Sequence, residues 1–376
     1  MKNTVRGLSL GVLTSVVAAF GASGAFAADG AAATPGLQNR TIGYVLTTNH
    51  WALYTTEKAT ECPNGTNDGP REQYAKLYPK DGAKRTVAET DLVYEGDVWF
   101  PGSQKTFDNL PFLEPVSKVA PGLNLDGKVG PNDFESPEGE KGIDNQFYRV
   151  FGCVADTRPG GSLYFFQNKY MAEHNYTRTL VELTNVDSLT DDNDVTVSVY
   201  RGLDPMLTDA TGNQYLPYGS QRVDERWGKK FAATAKGKIV NGVLITEPFE
   251  LVKPYNYAFS DRGYYKIHGA RFKMNVTGES AKGLLAGYMD IWSWYRALNG
   301  ALGTHSLSYG KESSPSLYRA MYRLADGYPD KDGKNTAISY AEEVNFRQVY
   351  IKHQNPSVAA KDADSRTAQA ETAKTR

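Results

Sequence analysis

The sequence predicts a mainly β, α+β protein: an antiparallel β-sandwich or barrel with a mixed N-terminal region and a helical C-terminal brace. Two observations carry most of this. Between residues 160 and 290, the runs "RTLVELTNV", "DVTVSVYRG", "GKIVNGVLITE" and "ARFKMNVTGESAKGLLAGYMD" are β-branched or alternating and are separated by turn residues. Within them, Asn241-Gly242 lies between Ile239-Val240 and Val243-Leu244-Ile245. That pair predicts a two-residue hairpin, because a type I′ turn needs positive φ at both central positions. Thr277-Gly278 predicts a second hairpin. A composition with 24 Tyr, 15 Phe and 5 Trp fits an extracytoplasmic β-rich chain.

In chain order, residues 1–27 read as an export signal. Lys2 and Arg6 precede an apolar run from Leu8 to Phe20, which ends in the small-residue site Ala25-Phe26-Ala27. The run falls well short of the ~20 apolar residues that span a bilayer, and no later stretch approaches that length, so no membrane span is expected in the mature chain. Residues 28–39, "ADGAAATPGLQN", and 356–376 are small and polar, with too little apolar surface to offset the entropy of ordering; both are expected to be disordered.

Residues 40–158 form the mixed region, with a strand in "TIGYVLT" and a short helix in "PREQYAKLY". Residues 160–290 form the β-domain, and 291–355 the helical region packed on it. There Asp290 is positioned to cap "IWSWYRALN", and Ser314-Pro315 to open a second helix with Leu317, Met321 and Leu324 on one face.

Two of the 42 basic residues and none of the 43 acidic ones fall in the signal, leaving a slightly acidic mature chain of formal charge near −3. With Lys and Arg dispersed, nothing favours nucleic acid. The two cysteines, Cys62 and Cys153, predict one disulfide in an oxidising compartment. Periplasmic or secreted localisation follows from the same signal.

The stretch "GLNLDGKVGPNDF" (Gly122 to Phe134) is partly similar to a dockerin-type calcium loop. Aligning Gly127 with the turn glycine places Asn124, Asp126, the Lys128 carbonyl and Asp133 at ligand positions, so structural calcium is one expectation. Gly122 supplies no side-chain oxygen at the first position, and the other reading is a plain Asp-Gly turn. No two of the five histidines lie within five residues, and no nucleophile elbow, P-loop or dinucleotide fingerprint occurs.

The candidate ligand surface is "MDIWSWYRALNGALGTHSLSYG". Trp292 and Trp294 are separated by about 200° around a helix, so one faces the core and the other is available to line a cleft. With Arg296, His305 and Tyr309 they suit stacking on a sugar or another flat ligand. Ala120–Cys153 together with Tyr322–Ser339 resembles a group of exported bacterial proteins of unassigned function. That resemblance implies an extracytoplasmic setting and no activity. The functional expectation is a non-catalytic binding or envelope-associated protein for a glycan, lipid or small molecule. The alternative is a polysaccharide or ester hydrolase whose site forms only in the fold.

Overall fold

The computed structural model describes residues 34–67, 93–95, 98–100, 113–161, 163–165, 168, 171, 178–212, 214–255, 263–297 and 314–353. The strands are β1 (Thr41–Trp51), β2 (Val93–Glu95), β3 (Val98–Phe100), β4 (Phe134–Glu135), β5 (Lys141–Ile143), β6 (Thr179–Thr184), β7 (Asp192–Arg201), β8 (Gly219–Arg222), β9 (Ala233–Val240), β10 (Val243–Thr246), β11 (Phe249–Pro254), β12 (Tyr264–Val276), β13 (Ser280–Asp290), β14 (Gly327–Pro329) and β15 (Asn335–Lys352). The helices include α1 (Gln146–Phe151), α2 (Ser314–Arg323) and a helical stretch at 291–297.

Eight strands pair antiparallel in the order β1-β6-β7-β9-β10-β12-β13-β15. A further pairing of β1 with β15 closes the ring into a barrel, so the barrel form of the predicted fold is the one adopted. The predicted hairpins are present. Asn241 and Gly242 take φ of 50° and 78°, joining Val240 to its partner Val243. Thr277 N–H donates to the Ser280 carbonyl between β12 and β13.

The alternation read from the sequence becomes an inside and an outside. Ile42, Tyr44 and Leu46 of β1, Val195, Val197 and Val199 of β7, and Phe272, Met274 and Val276 of β12 belong to one buried core. Lys236, Lys238, Lys266, Lys273 and Lys282 stand exposed on the outer face of the same wall. A lipid-facing barrel needs the reverse arrangement. Among the described residues, no helix is long and apolar enough to cross a membrane. Charge also enters the core: Lys253 is bonded to Glu342, which also accepts from Asn49 Nδ2 at 3.1 Å and lies 3.5 Å from the Tyr265 hydroxyl.

The expected boundaries need three corrections. The barrel draws β1 from the mixed region and β15 from the supposed helical region, so it is not confined to 160–290. Among the described residues of 291–355, 291–297 and α2 are helical, and Asn335–Lys352 is the longest strand described. Residues 34–39, placed in a disordered linker, form turns in which Leu37 packs on the core. The Asp290 cap is as read, its Oδ1 accepting from Ser293 N–H at 2.7 Å, and in α2 the predicted inward residues Leu317 and Met321 are buried. Cys62 and Cys153 form the disulfide. The signal, "PREQYAKLY" and the 356–376 tail lie outside the described residues.

Candidate functional site

The site begins with a register change in β12. Pairing with β13 slips between His268 and Arg271, and pairing with β11 slips at the same place. A bulge puts an extra residue into one strand and re-aims the side chains that follow. Ile267 and Ala270 are both in the core. His268 and Arg271, which strict alternation would send to opposite faces, therefore both lie on the outside.

His268 sits opposite Tyr288 of β13, and Tyr328 of β14 covers its ring at a centroid distance of 4.4 Å. Tyr288 and Tyr328 are 5.6 Å apart. Tyr328 is 42% exposed and holds φ at 53°, a left-handed conformation costly for an aromatic residue. The Glu250 carboxylate accepts from His268 Nδ1 at 2.6 Å and from Gly269 N–H at 3.3 Å. With Nδ1 directed at Glu250, Nε2 is the ring's other polar atom, and among the described residues it has no partner.

The calcium-like stretch borders this surface. Leu123 and Leu125 pack on Ala52, Ala286 and Ala341 outside the barrel. Arg271 donates to the carbonyls of Asn124 at 3.2 Å and Leu125 at 2.8 Å, and Asp144 accepts from Leu125 N–H at 2.6 Å and Asp126 N–H at 3.3 Å. The predicted ligand oxygens close the loop on itself. Asn124 Oδ1 accepts from Gly127 N–H, Asp126 Oδ1 from Lys128 N–H and Asp133 Oδ2 from Gly130 N–H, while Asn124 Nδ2 donates to the Lys128 carbonyl. Gly142 makes room for the loop, since a Cβ there would lie 2.3 Å from the Lys128 carbonyl oxygen. Among the described residues no group of three or more His, Cys, Asp or Glu is placed to hold a metal. Nothing in this arrangement supports the calcium expectation; the stretch is a latched turn.

The surrounding carboxylates tune the phenols. Burial raises the Asp144 carboxyl, with Asp126 and Asp133 adding to it. Desolvation of the carboxyl pushes Asp326 up to about 6 despite two hydrogen bonds from Ser339, a rise that the exposure of the residue to solvent weakens. Burial first, then Asp144, Asp326 and Asp126, drives the Tyr288 hydroxyl far above its ordinary value. Burial and Glu250 raise Tyr328 as well. Both phenols therefore remain protonated donors at neutral pH, beside the His268 imidazole.

Of the ligand surface expected around Trp292, three residues are described. Trp294 is completely buried against Trp51, Phe147 and Phe151, which removes it from any surface platform. Trp292 is half-buried against Tyr295 and Tyr318, Arg296 is exposed, and His305 and Tyr309 lie outside the described residues. Sequence reasoning passed over His268 and Tyr328. The available signal was Gly269, which follows His268 inside an alternating run and so marks a bulge. No protein-family model matches the chain, and no curated protein or solved structure is significantly similar to it.

Proposed function

We propose that the chain is an exported, extracytoplasmic binding protein, and that the Tyr328–His268–Tyr288 face takes a neutral hydroxylated ring, with a glycan the favoured ligand over a lipid or other small molecule. The observation that carries this reading is a strained, exposed tyrosine stacked on a histidine whose ring is fixed by Glu250 while Nε2 has no partner among the described residues. Exposed aromatic faces with a few oriented polar groups suit sugar rings. The disulfide suggests an oxidising setting, and the signal-like N-terminus supports export.

The hydrolase alternative draws on Asp144 and Asp326, with Asp144 adding to the rise of the Asp326 carboxyl behind desolvation. Its weakness is that both carboxylates already serve structural amides, Asp144 those of Leu125 and Asp126 and Asp326 that of Ser339. Titrating the full chain with a panel of neutral oligosaccharides, lipids and small molecules tests the proposal. Saturable binding to a saccharide is expected, weakened about fivefold to tenfold by Tyr328→Ala, in line with roughly 1–1.5 kcal/mol for one aromatic contact. Binding that ignores Tyr328→Ala and His268→Gln would place the ligand elsewhere. Release of shortened sugars would favour the hydrolase.

A further inference from the structure

Outside the barrel, a short arm folds over the seam where β1, β15 and β8 meet. β8 pairs parallel with the end of β15, from Val349 opposite Gly219 to Lys352 opposite Arg222, beyond the stretch of β15 that pairs with β13. The arm is a hairpin from Leu207 to Leu216. Leu216 N–H donates to the Leu207 carbonyl and Asp209 N–H to the Gln214 carbonyl, each at 2.9 Å, and Thr208 bridges to Tyr215. Side chains of β15 and β8 hold it down: Arg347 Nε donates to the Tyr215 carbonyl and Gln221 Nε2 to the Pro205 carbonyl, each at 2.9 Å.

Beneath the arm runs a narrow cleft of about 220 Å³, counting the part open to solvent. Val45 and Val349, on the outer face of β1 and β15, line it and are buried, and Met206, Leu207 and Leu216 complete an aliphatic lining. Leu207 and Leu216 are 53% and 44% exposed, so they are free to swing outward without breaking a packed core. Gly219 leaves room for the arm, since a Cβ there would lie 2.9 Å from Leu207 Cδ1. The one amide side chain in the lining is Gln221, 2% exposed. Its nitrogen is committed to Pro205, which fixes the orientation of the amide, and its Oε1 is buried with no hydrogen-bond partner among the described residues.

We infer that this cleft is a binding site for an unbranched aliphatic alcohol, whose hydroxyl donates to Gln221 Oε1 while its chain lies between the valines of the wall and the leucines of the arm. A buried acceptor left unpaired is costly, and a ligand that brings one donor on an aliphatic body relieves that cost and buries apolar surface together. A water there would need two or more polar partners. No charged side chain lines the cleft among the described residues, so a carboxylate or an ammonium would lose its hydration without a counter-ion. The cleft lies on other strands than the Tyr328 face, and the inference stands whether or not that face binds a sugar.

The test follows the methyl signals of Val45, Met206, Leu207, Leu216 and Val349 in the full chain by carbon–proton NMR. The probes are n-hexanol and its isomer methyl pentyl ether, which has no hydroxyl. Saturable shifts confined to these methyls are expected, with the alcohol bound roughly threefold to tenfold more tightly than the ether, the size of one neutral hydrogen bond. Gln221→Leu should erase that preference, while continued binding of the ether shows the arm still in place. Gly219→Ala, which presses on the end of one leucine side chain, should weaken both probes. Shifts that do not saturate or that spread over the other methyls of the barrel would overturn the inference. So would an ether bound as tightly as the alcohol in the parent, a preference that survives Gln221→Leu, or affinities indifferent to Gly219→Ala.

Discussion

Burying Lys253 beside Glu342 strips both ions of water, and their attraction offsets that cost only while both are present. Desolvation lowers the Lys253 ammonium, while Glu342 opposes the shift and holds the proton in place. Asn49 and Tyr265 add donors to the same carboxylate. Lys253→Met alone should therefore cost about 3–5 kcal/mol, because Glu342 is left buried without its partner. The double change Lys253→Met, Glu342→Leu should recover most of that loss in urea unfolding. A double variant as unstable as the single one would show that packing, not the unpaired charge, sets the cost. Part of this pair was legible: Phe249, Leu251 and Lys253 alternate on one face of β11, which points the lysine inward with the apolar residues. Its partner was not, since Glu342 lies 89 residues away in a segment read as helical.

At the level of elements, β15 shows why local pattern failed. Ile338, Tyr340, Glu342, Val344, Phe346 and Gln348 alternate inward, but two of them are polar. The other face carries Ser339, Glu343, Asn345 and Arg347 but also the buried Ala337 and Ala341, Ala341 beneath the latched loop, so neither face is uniformly polar or apolar. The loop itself was legible as an Asp-Gly turn, whereas its anchors, Asp144 and Arg271, belong to other elements. Asp144→Ala should orphan the amides of Leu125 and Asp126 and lower stability by roughly 1–3 kcal/mol. Hydrogen exchange at those two amides should accelerate well beyond that in the barrel strands. In the parent, EDTA should leave the melt unchanged; a lowered melt would instead put a cation on Asn124, Asp126 and Asp133. Unaltered exchange in Asp144→Ala would remove the latch from the argument.

Over the whole molecule, two cysteines admit one intramolecular pairing, which made the disulfide readable. Sandwich and barrel share the same strand patterns, and closure depends on β1 meeting β15 some three hundred positions later. The pH response is likewise a property of the whole chain, because groups in different elements oppose one another. Asp326 rises from an ordinary 3.8 to about 6 in the fold, so the folded state holds the extra proton and stability from this group falls as pH climbs from about 4 to 6. His50, stacked on Tyr164 at 3.7 Å, is pushed down by burial from 6.5 to about 4. Its contribution is present above about 6.5 and is lost as pH falls toward 4. The two slopes have opposite signs in one window and partly cancel, with Asp326 damped by its solvent contact. Subtracting the parent's stability profile from that of each variant isolates one group at a time. Relative to the parent, Asp326→Asn should gain stability as pH rises from 4 to 6, while His50→Phe, which keeps a ring on Tyr164, should lose it over the same range. Chemical denaturation at half-unit steps resolves both differences, and two difference profiles of the same sign would refute the assignment of opposed groups.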